Sequence, residues 1–301
     1  LIASIFFIKY TTKVTGLMIS MILATLLGLL DDIQNTKSGT KLNKVENPYL
    51  RFGLQALIIL PVILAGTQVL TINNPFDGLL RFDTFSISAG NMVIYPLATG
   101  LTIVWMLWIM NLLSWSNGVD GQYSGIVSIA AIVIAIITMR ESNLSFDQKN
   151  MINFAALIAG ASLGLLPYTW HPSKILWGFG AISAGVAIGT LSILTQAKIA
   201  ASLIVLAIPF LDGAITVIRR LIQKRSPLKN DRGHLHHLLL DMGWSVKKVA
   251  IFYWAATAVT GYIGIKSADK NLTLSALIVA GVIAFLIISI NLVQLGKRKQ
   301  N

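Results

Sequence analysis

Nine predominantly apolar runs, each at least 17 residues long, constrain this chain more than any motif in it. They are Val14 to Leu30, Leu54 to Ile72, Met92 to Leu113, Tyr123 to Met139, Met151 to Thr169, Ile175 to Leu194, Ile199 to Ile218, Val249 to Ile265 and Thr273 to Leu295. Coiled as an α-helix, a run of that length crosses about 30 Å of hydrocarbon. Backbone amides in lipid must be satisfied within the segment, and the runs are too uniformly apolar for the alternation of barrel strands. The expected fold is all-α, a polytopic transmembrane helical bundle of about nine complete helices. Leu1 to Ile8 is a shorter apolar stretch ending at Lys9. It reads as the tail of an earlier helix, so one N-terminally truncated integral-membrane domain is expected over residues 1–301. No basic region precedes it and no small-residue cleavage site follows, which excludes a signal peptide.

Composition agrees with lipid as the solvent. Only 12% of the 301 residues are charged, half the share of a soluble domain at about a quarter, and the mean hydropathy is +0.73. The absence of cysteine excludes a disulfide scaffold, thiolate metal sites and a cysteine nucleophile. The net charge of +12 is concentrated: 16 of the 24 Lys and Arg fall in loops 31–53, 114–122, 170–174, 219–248 and the tail 296–301, which nine crossings place on one face. Basic residues collect on the cytoplasmic side, so these loops and the C-terminus are expected inside a cell membrane.

Three polar clusters sit at that face. Asp31 and Asp32 end the first long run; adjacent carboxylates at a membrane boundary repel, and a divalent cation or a proton compensates them. The second is Asn111 to Gly121, with Asn117 and Asp120 and two glycines, and Asn111 lies a turn inside an apolar run, where its amide must find partners. The third begins at Asp212, inside an apolar helix, and continues through Arg219, Arg220, Arg232, Gly233, His234, His236 and His237. An intramembrane carboxylate is a functional candidate by default, and guanidinium groups with neutral histidine donors suit a phosphate or diphosphate. The alternatives are a helix end in water for Asp31-Asp32, a simple turn for the second cluster, and lipid headgroup attraction or zinc for the third. Zinc is disfavoured by the basic surroundings and the lack of cysteine. A transporter would need a polar path at the midplane, whereas the ionisable residues other than Asp212 keep to helix ends.

These residues together resemble the polyprenyl-phosphate N-acetylhexosamine-1-phosphate transferase superfamily, especially the bacterial branch that starts wall teichoic acid, O-antigen or other surface polysaccharides. The matching segments are Gly28-Leu-Leu-Asp31-Asp32, Asn111 to Gly121, Gly164-Leu-Leu-Pro-Tyr to Pro172-Ser-Lys174, and Asp212 through His237 with Asp231-Arg232-Gly233-His234-Leu235-His236-His237. The resemblance covers nearly the whole chain. It implies transfer of a sugar 1-phosphate from a UDP-sugar to undecaprenyl phosphate with release of UMP, dependence on Mg²⁺ or Mn²⁺, and a homodimer; no nucleic-acid partner is expected. Carried over residue by residue, Asp31, Asp32 and Asp120 are the catalytic and metal-binding candidates. Asn111, Asn117, Arg219, Arg220, Arg232, His234, His236 and His237 are the substrate-binding ones.

Two departures bear on activity. Ser114 and Asn117 stand where the family has Asn and Asp, and Phe179 stands where it has a metal-binding Asp in Gly-Asp-x-Gly-Ser; here the segment is Gly178-Phe179-Gly180-Ala181-Ile182. A phenyl ring does not ligate a hard cation that demands oxygen. The alternative expectation is a catalytically weak or silent relative that still binds nucleotide sugar or lipid phosphate.

Overall fold

The computed structural model describes residues 2–36, 47–74, 78–89, 92–178, 180–194, 198–227, 233–268 and 272–298. The chain runs through α1 (Ser4–Phe7), α2 (Thr12–Thr36), α3 (Pro48–Leu64), α4 (Pro96–Trp115), α5 (Gln122–Met139), α6 (Phe146–Thr169), α7 (Gly180–Leu194), α8 (Lys198–Val205), α9 (Ala207–Ile222), α10 (Leu235–Asp241), α11 (Val246–Ser267) and α12 (Leu272–Arg298). Each of the nine apolar runs contains one of these helices or, in one case, a helix pair. Helices α2, α4, α5, α6, α11 and α12 are long and apolar enough to cross a membrane; α3 and α7 are apolar but shorter. The outward face of α12, with Leu277, Val282, Phe285 and Leu292 all exposed, suits lipid, which needs no polar cover. The protein is a multi-pass helical membrane protein.

Local signals set the helix starts. Asn47 caps α3 by accepting from Tyr49 N–H at 2.9 Å, with Pro48 at the first position, where its missing N–H is not needed. Ser145 and Gln148 form a reciprocal capping box at the start of α6. The interior is one continuous core in which α5 and α7 are buried along nearly their full length. Close helix approach depends on small residues: a β-carbon at Gly185 of α7 would run into the Met110 backbone of α4, and one at Gly16 of α2 into the Pro61 carbonyl of α3.

Four of the expected runs are corrected. The run Leu54 to Ile72 stops being helical at Leu64, because Gly66 takes a positive φ of 83° and Thr67 N–H turns back to Val62 O, a glycine-dependent helix stop. Beyond it the chain is extended, and two short antiparallel hairpins follow. β1 (Thr71–Asn73) pairs with β2 (Leu79–Arg81), and β3 (Ile87–Ala89) with β4 (Met92–Ile94), so Met92 to Ile94 is strand rather than helix. The run Ile175 to Leu194 is helical only from Gly180. The run Ile199 to Ile218 is broken between α8 and α9 by an 86° bend. Pro209 explains the break, since its ring clashes with the carbonyl four residues earlier, at Val205, and its nitrogen donates no hydrogen bond.

Candidate active site

The C-terminal ends of α2 and α4 and the N-terminal ends of α3, α7 and α10 meet around a cleft of about 330 Å³, lined by Asp31, Arg51, Gln55, Asn111, Ser114, Trp115, Gly118, Ile182, His234, His236 and His237. Five of the expected site residues therefore share one cleft: Asp31, Asn111 and the three histidines. Asp31 forms an ion pair with Arg51. Asn111, 6% exposed, exchanges amide hydrogen bonds with Gln55 and donates to Leu107 O at 2.8 Å, which answers how a carboxamide is accommodated inside an apolar helix.

The histidine segment owes its position to Asp212. This buried α9 carboxylate accepts from Leu235 N–H at 2.7 Å and from His234 Nδ1 at 3.1 Å. It thus satisfies the first N–H of α10, whose N-cap residue His234 makes no side-chain cap. A carboxylate only accepts, so His234 Nδ1 carries the proton and the ring orientation is set. The His234 and His236 rings stack within 3° of parallel, their centroids 5.7 Å apart, and Trp115 covers His234 from 5.8 Å.

His236 is 2% exposed, and its Nδ1 has no hydrogen-bond partner among the described residues. Burial pushes its pKa down to about 3, helped by the neighbouring His237 and His234, so the ring is neutral near pH 7. In the unfolded chain it would take up a proton near pH 6.5. Between about pH 6.5 and 3 the unfolded state therefore binds more protons, and stability falls as the pH is lowered through that window, by at most about 1.4 kcal/mol per pH unit. Thermal unfolding between pH 7 and pH 5 is expected to show this loss, and His236→Gln is expected to flatten it.

Gly118 explains part of the second cluster. A β-carbon there would overlap the His236 imidazole. Gly118→Ala is expected to push the ring out of place and destabilise the fold by about 1–3 kcal/mol, the cost of overpacking a filled interior; thermal unfolding checks it.

The remaining expected residues are placed differently. Asp32 packs its carboxylate against Gly178. Asp120 accepts from His171 Nδ1 at 2.7 Å and from Ser173 N–H at 3.2 Å. Burial alone would raise its pKa, but these bonds outweigh it and hold Asp120 below the usual carboxylate range. Asn117 sits in the turn after α4, with its N–H bonded to Ser114 O. Arg219 donates to Gly233 O and to Asn291 of α12, and Arg220 to Pro227 O, so both brace the loop and neither lines the cleft. Arg232 and Phe179 lie outside the described residues. Among the described residues no three His, Asp or Glu form a group able to hold a metal ion; Asp31, Asp32 and Asp120 are not gathered into one cage.

Sequence reasoning passed over Arg51, Gln55, Trp115 and His171. Arg51 and Gln55 stand four residues apart, on one face of a helix, yet Arg51 was counted only toward membrane orientation. His171 lies inside the matching segment from Gly164 to Lys174, whose resemblance assigns it no role.

A model of glycosyl transferase family 4 matches residues 14–196. The chain belongs to this family. The match contains Asp31, Asp32, Asn111, Asn117 and Asp120. A probable undecaprenyl-phosphate N-acetylglucosaminyl 1-phosphate transferase of Bacillus subtilis is 24% identical over 282 residues, covering 91% of this chain and 72% of its own length. An alignment that covers so much of the chain necessarily includes the basic loop 219–248. A decaprenyl-phosphate N-acetylglucosaminephosphotransferase of Mycolicibacterium smegmatis is 28% identical over 222 residues, 65% of this chain and 54% of its own. A phospho-N-acetylmuramoyl-pentapeptide-transferase of Moorella thermoacetica is 29% identical over 179 residues, 57% and 52%. The chain thus spans between about half and under three quarters of these relatives.

Proposed function

We propose that this family member transfers an N-acetylhexosamine 1-phosphate from a UDP-sugar to undecaprenyl or a related polyprenyl phosphate, releasing UMP, as a first step of cell-envelope polysaccharide synthesis. The observation that carries the reading is the convergence of Arg51 and three histidines with Asp31 on one cleft at the end of an apolar bundle. The names of two relatives support the coarser part of this reading, transfer of an N-acetylglucosamine phosphate to undecaprenyl or decaprenyl phosphate. In the reaction, an oxygen of the lipid phosphate bonds to the sugar-bearing phosphorus of the donor. The bond from that phosphorus to the UMP oxygen breaks, and the electron pair leaves on UMP. Two anions must meet, so catalysis rests on positioning and charge neutralisation. Arg51 offers a planar fork for phosphate oxygens. His236, neutral and with a buried ring nitrogen that has no partner among the described residues, offers a directional hydrogen bond that costs no desolvation of charge. Asp212 holds His234 in a single tautomer, and His171 and Asp120 form a second such pair beside the second cluster.

Asp31, the carboxylate that lines the cleft, would hold a divalent ion in the manner of Mg²⁺, which needs one or two carboxylates rather than an all-protein cage, and Asp32 is the next residue in the chain. Mn²⁺ suits the same oxygens. The ion supplies charge neutralisation between the two phosphates. On this reading the cleft faces the cytoplasm, as the basic-residue asymmetry indicates; the whole chain acts as one membrane unit, and the resemblance adds a homodimer.

A second reading, a relative that binds these ligands with weak or no turnover, is favoured by one observation. The segment that reaches Asp32 through Gly178 continues in sequence with Phe179 instead of a carboxylate. Purified protein with undecaprenyl phosphate, a panel of UDP-sugars and Mg²⁺ or Mn²⁺ is expected to release UMP with at least one N-acetylhexosamine donor. UDP-sugar binding without UMP across the panel, with turnover restored in Phe179→Asp, would establish the second reading instead.

A further inference from the structure

A larger cavity, of about 530 Å³, lies at the other end of the bundle. Helix α2 brings Asp31 to the cleft and Lys13 to this cavity; α7 brings Ile182 to the cleft and Ser192 to the cavity. Helix α3 begins at the cleft with Arg51 and is followed by the cavity residues Thr67 and Gln68. The 18 residues from Lys13 to Asp31 rise about 27 Å along α2, nearly the hydrocarbon thickness. The cavity therefore sits at the membrane interface opposite the cleft.

Its polar lining is rich in acceptors. Thr67 is 1% exposed and its hydroxyl has no hydrogen-bond partner among the described residues, and the same holds for the buried Oε1 of Gln68. Buried oxygens of this kind are normally satisfied, and Oε1 is satisfied only by a donor. Glu141 adds a carboxylate. The Lys13 ammonium is already engaged by Asp147 at 3.1 Å, and Arg140 is turned to the carbonyl of Ile265. Among the described lining residues Lys13 is the one cation and Glu141 the one carboxylate, and Lys13 is shared with Asp147 beside the cavity. The rest of the wall is apolar, including Val69, Leu70 and Leu79, and the last two are exposed to the surroundings of the bundle.

We propose that this cavity binds the head group of an aminophospholipid, of the phosphatidylethanolamine type, from the leaflet opposite the cleft. The primary ammonium supplies N–H donors to Gln68 Oε1 and Thr67 and neutralises Glu141. The phosphate lies toward the free N–H groups of Lys13, and the glycerol and upper acyl chains lie along the apolar rim. A phosphatidylcholine head has no N–H to donate, and a phosphatidylglycerol head brings no cation to Glu141. The site uses none of the cleft residues, so it stands or falls separately from the transfer reaction.

The test is lipid retention by the purified chain after exchange into mixed vesicles of phosphatidylethanolamine, phosphatidylcholine and phosphatidylglycerol, read by native mass spectrometry. Phosphatidylethanolamine is expected to be retained at least about tenfold over the other two, and Glu141→Gln to lower that retention about tenfold, the effect of removing a charged hydrogen-bond acceptor. Thr67→Leu, which fills the cavity, is expected to lower it as well, while both variants still bind UDP-sugar at the cleft and Asp31→Asn retains the lipid. Equal retention of the three lipids, or retention unchanged in Glu141→Gln, would overturn the proposal.

Discussion

Asp31→Asn is expected to lower the rate of UMP release by about a hundred- to a thousandfold, the loss found when a preorganised charged or hydrogen-bonding group is removed from a reacting centre. The substitution keeps the shape of the side chain and removes its charge. Arg51 then loses its ion-pair partner, and the cleft loses the carboxylate that lines it among the described residues. Because Asp31 lies at the last turns of α2 and is partly exposed, the fold is expected to be retained, with unfolding temperature near that of the parent. In the proposed reaction the effect falls mainly on kcat, since there the charge matters most when the lipid phosphate and the donor's diphosphate are brought together. A variant within tenfold of the parent rate would remove Asp31 from the site.

Asp212→Ala is the largest expected loss of stability, about 3 kcal/mol. It removes the acceptor of a buried N–H at the start of α10 and of the buried His234 ring, combining the loss of a helix cap with an unsatisfied donor. Asp212→Asn separates the two roles. Its amide oxygen still accepts from Leu235 N–H, so most of the stability returns, but the carboxamide no longer offers a second acceptor that forces the proton onto His234 Nδ1. Turnover is expected to drop about ten- to a hundredfold, the range for partners that orient a functional histidine. Thermal unfolding and initial rates of the two variants measure this. Equal rates in Asp212→Asn and the parent would reduce Asp212 to a structural brace.

Much of the architecture was legible as hydropathy. Every long apolar run contains a helix, because in lipid only a helix satisfies each backbone group within its own segment. The ends of the helices were less legible. Gly66 and Pro209 stop or bend helices inside runs that are uniformly apolar, and a hydropathy reading averages over them. The site was legible as residue types collected on one face: Asp31, Asn111 and the histidines do share a cleft. Arg219 and Arg220 were read for their charge, yet their guanidinium groups are engaged by carbonyls of their own loop. The number of hydrogen-bond acceptors near a basic residue depends on the backbone around it, which a count of charges does not contain.

Asp212 marks the division most clearly. From the sequence alone, a carboxylate inside an apolar helix had to have a partner and a role, since desolvation of a lone charge there is too costly to persist. That inference needed only the residue and its neighbours. Which partner it takes was decided by the packing of α9 against the segment that becomes α10, 22 and 23 residues further along. In the same way, the chain's apolar runs determined by themselves that it is a helical membrane protein with its polar clusters at helix ends. Only the tertiary structure decided which ends meet, because helices in lipid associate through close packing at small residues such as Gly185 and Gly16, and those contacts link residues far apart in sequence that hydropathy treats as equivalent.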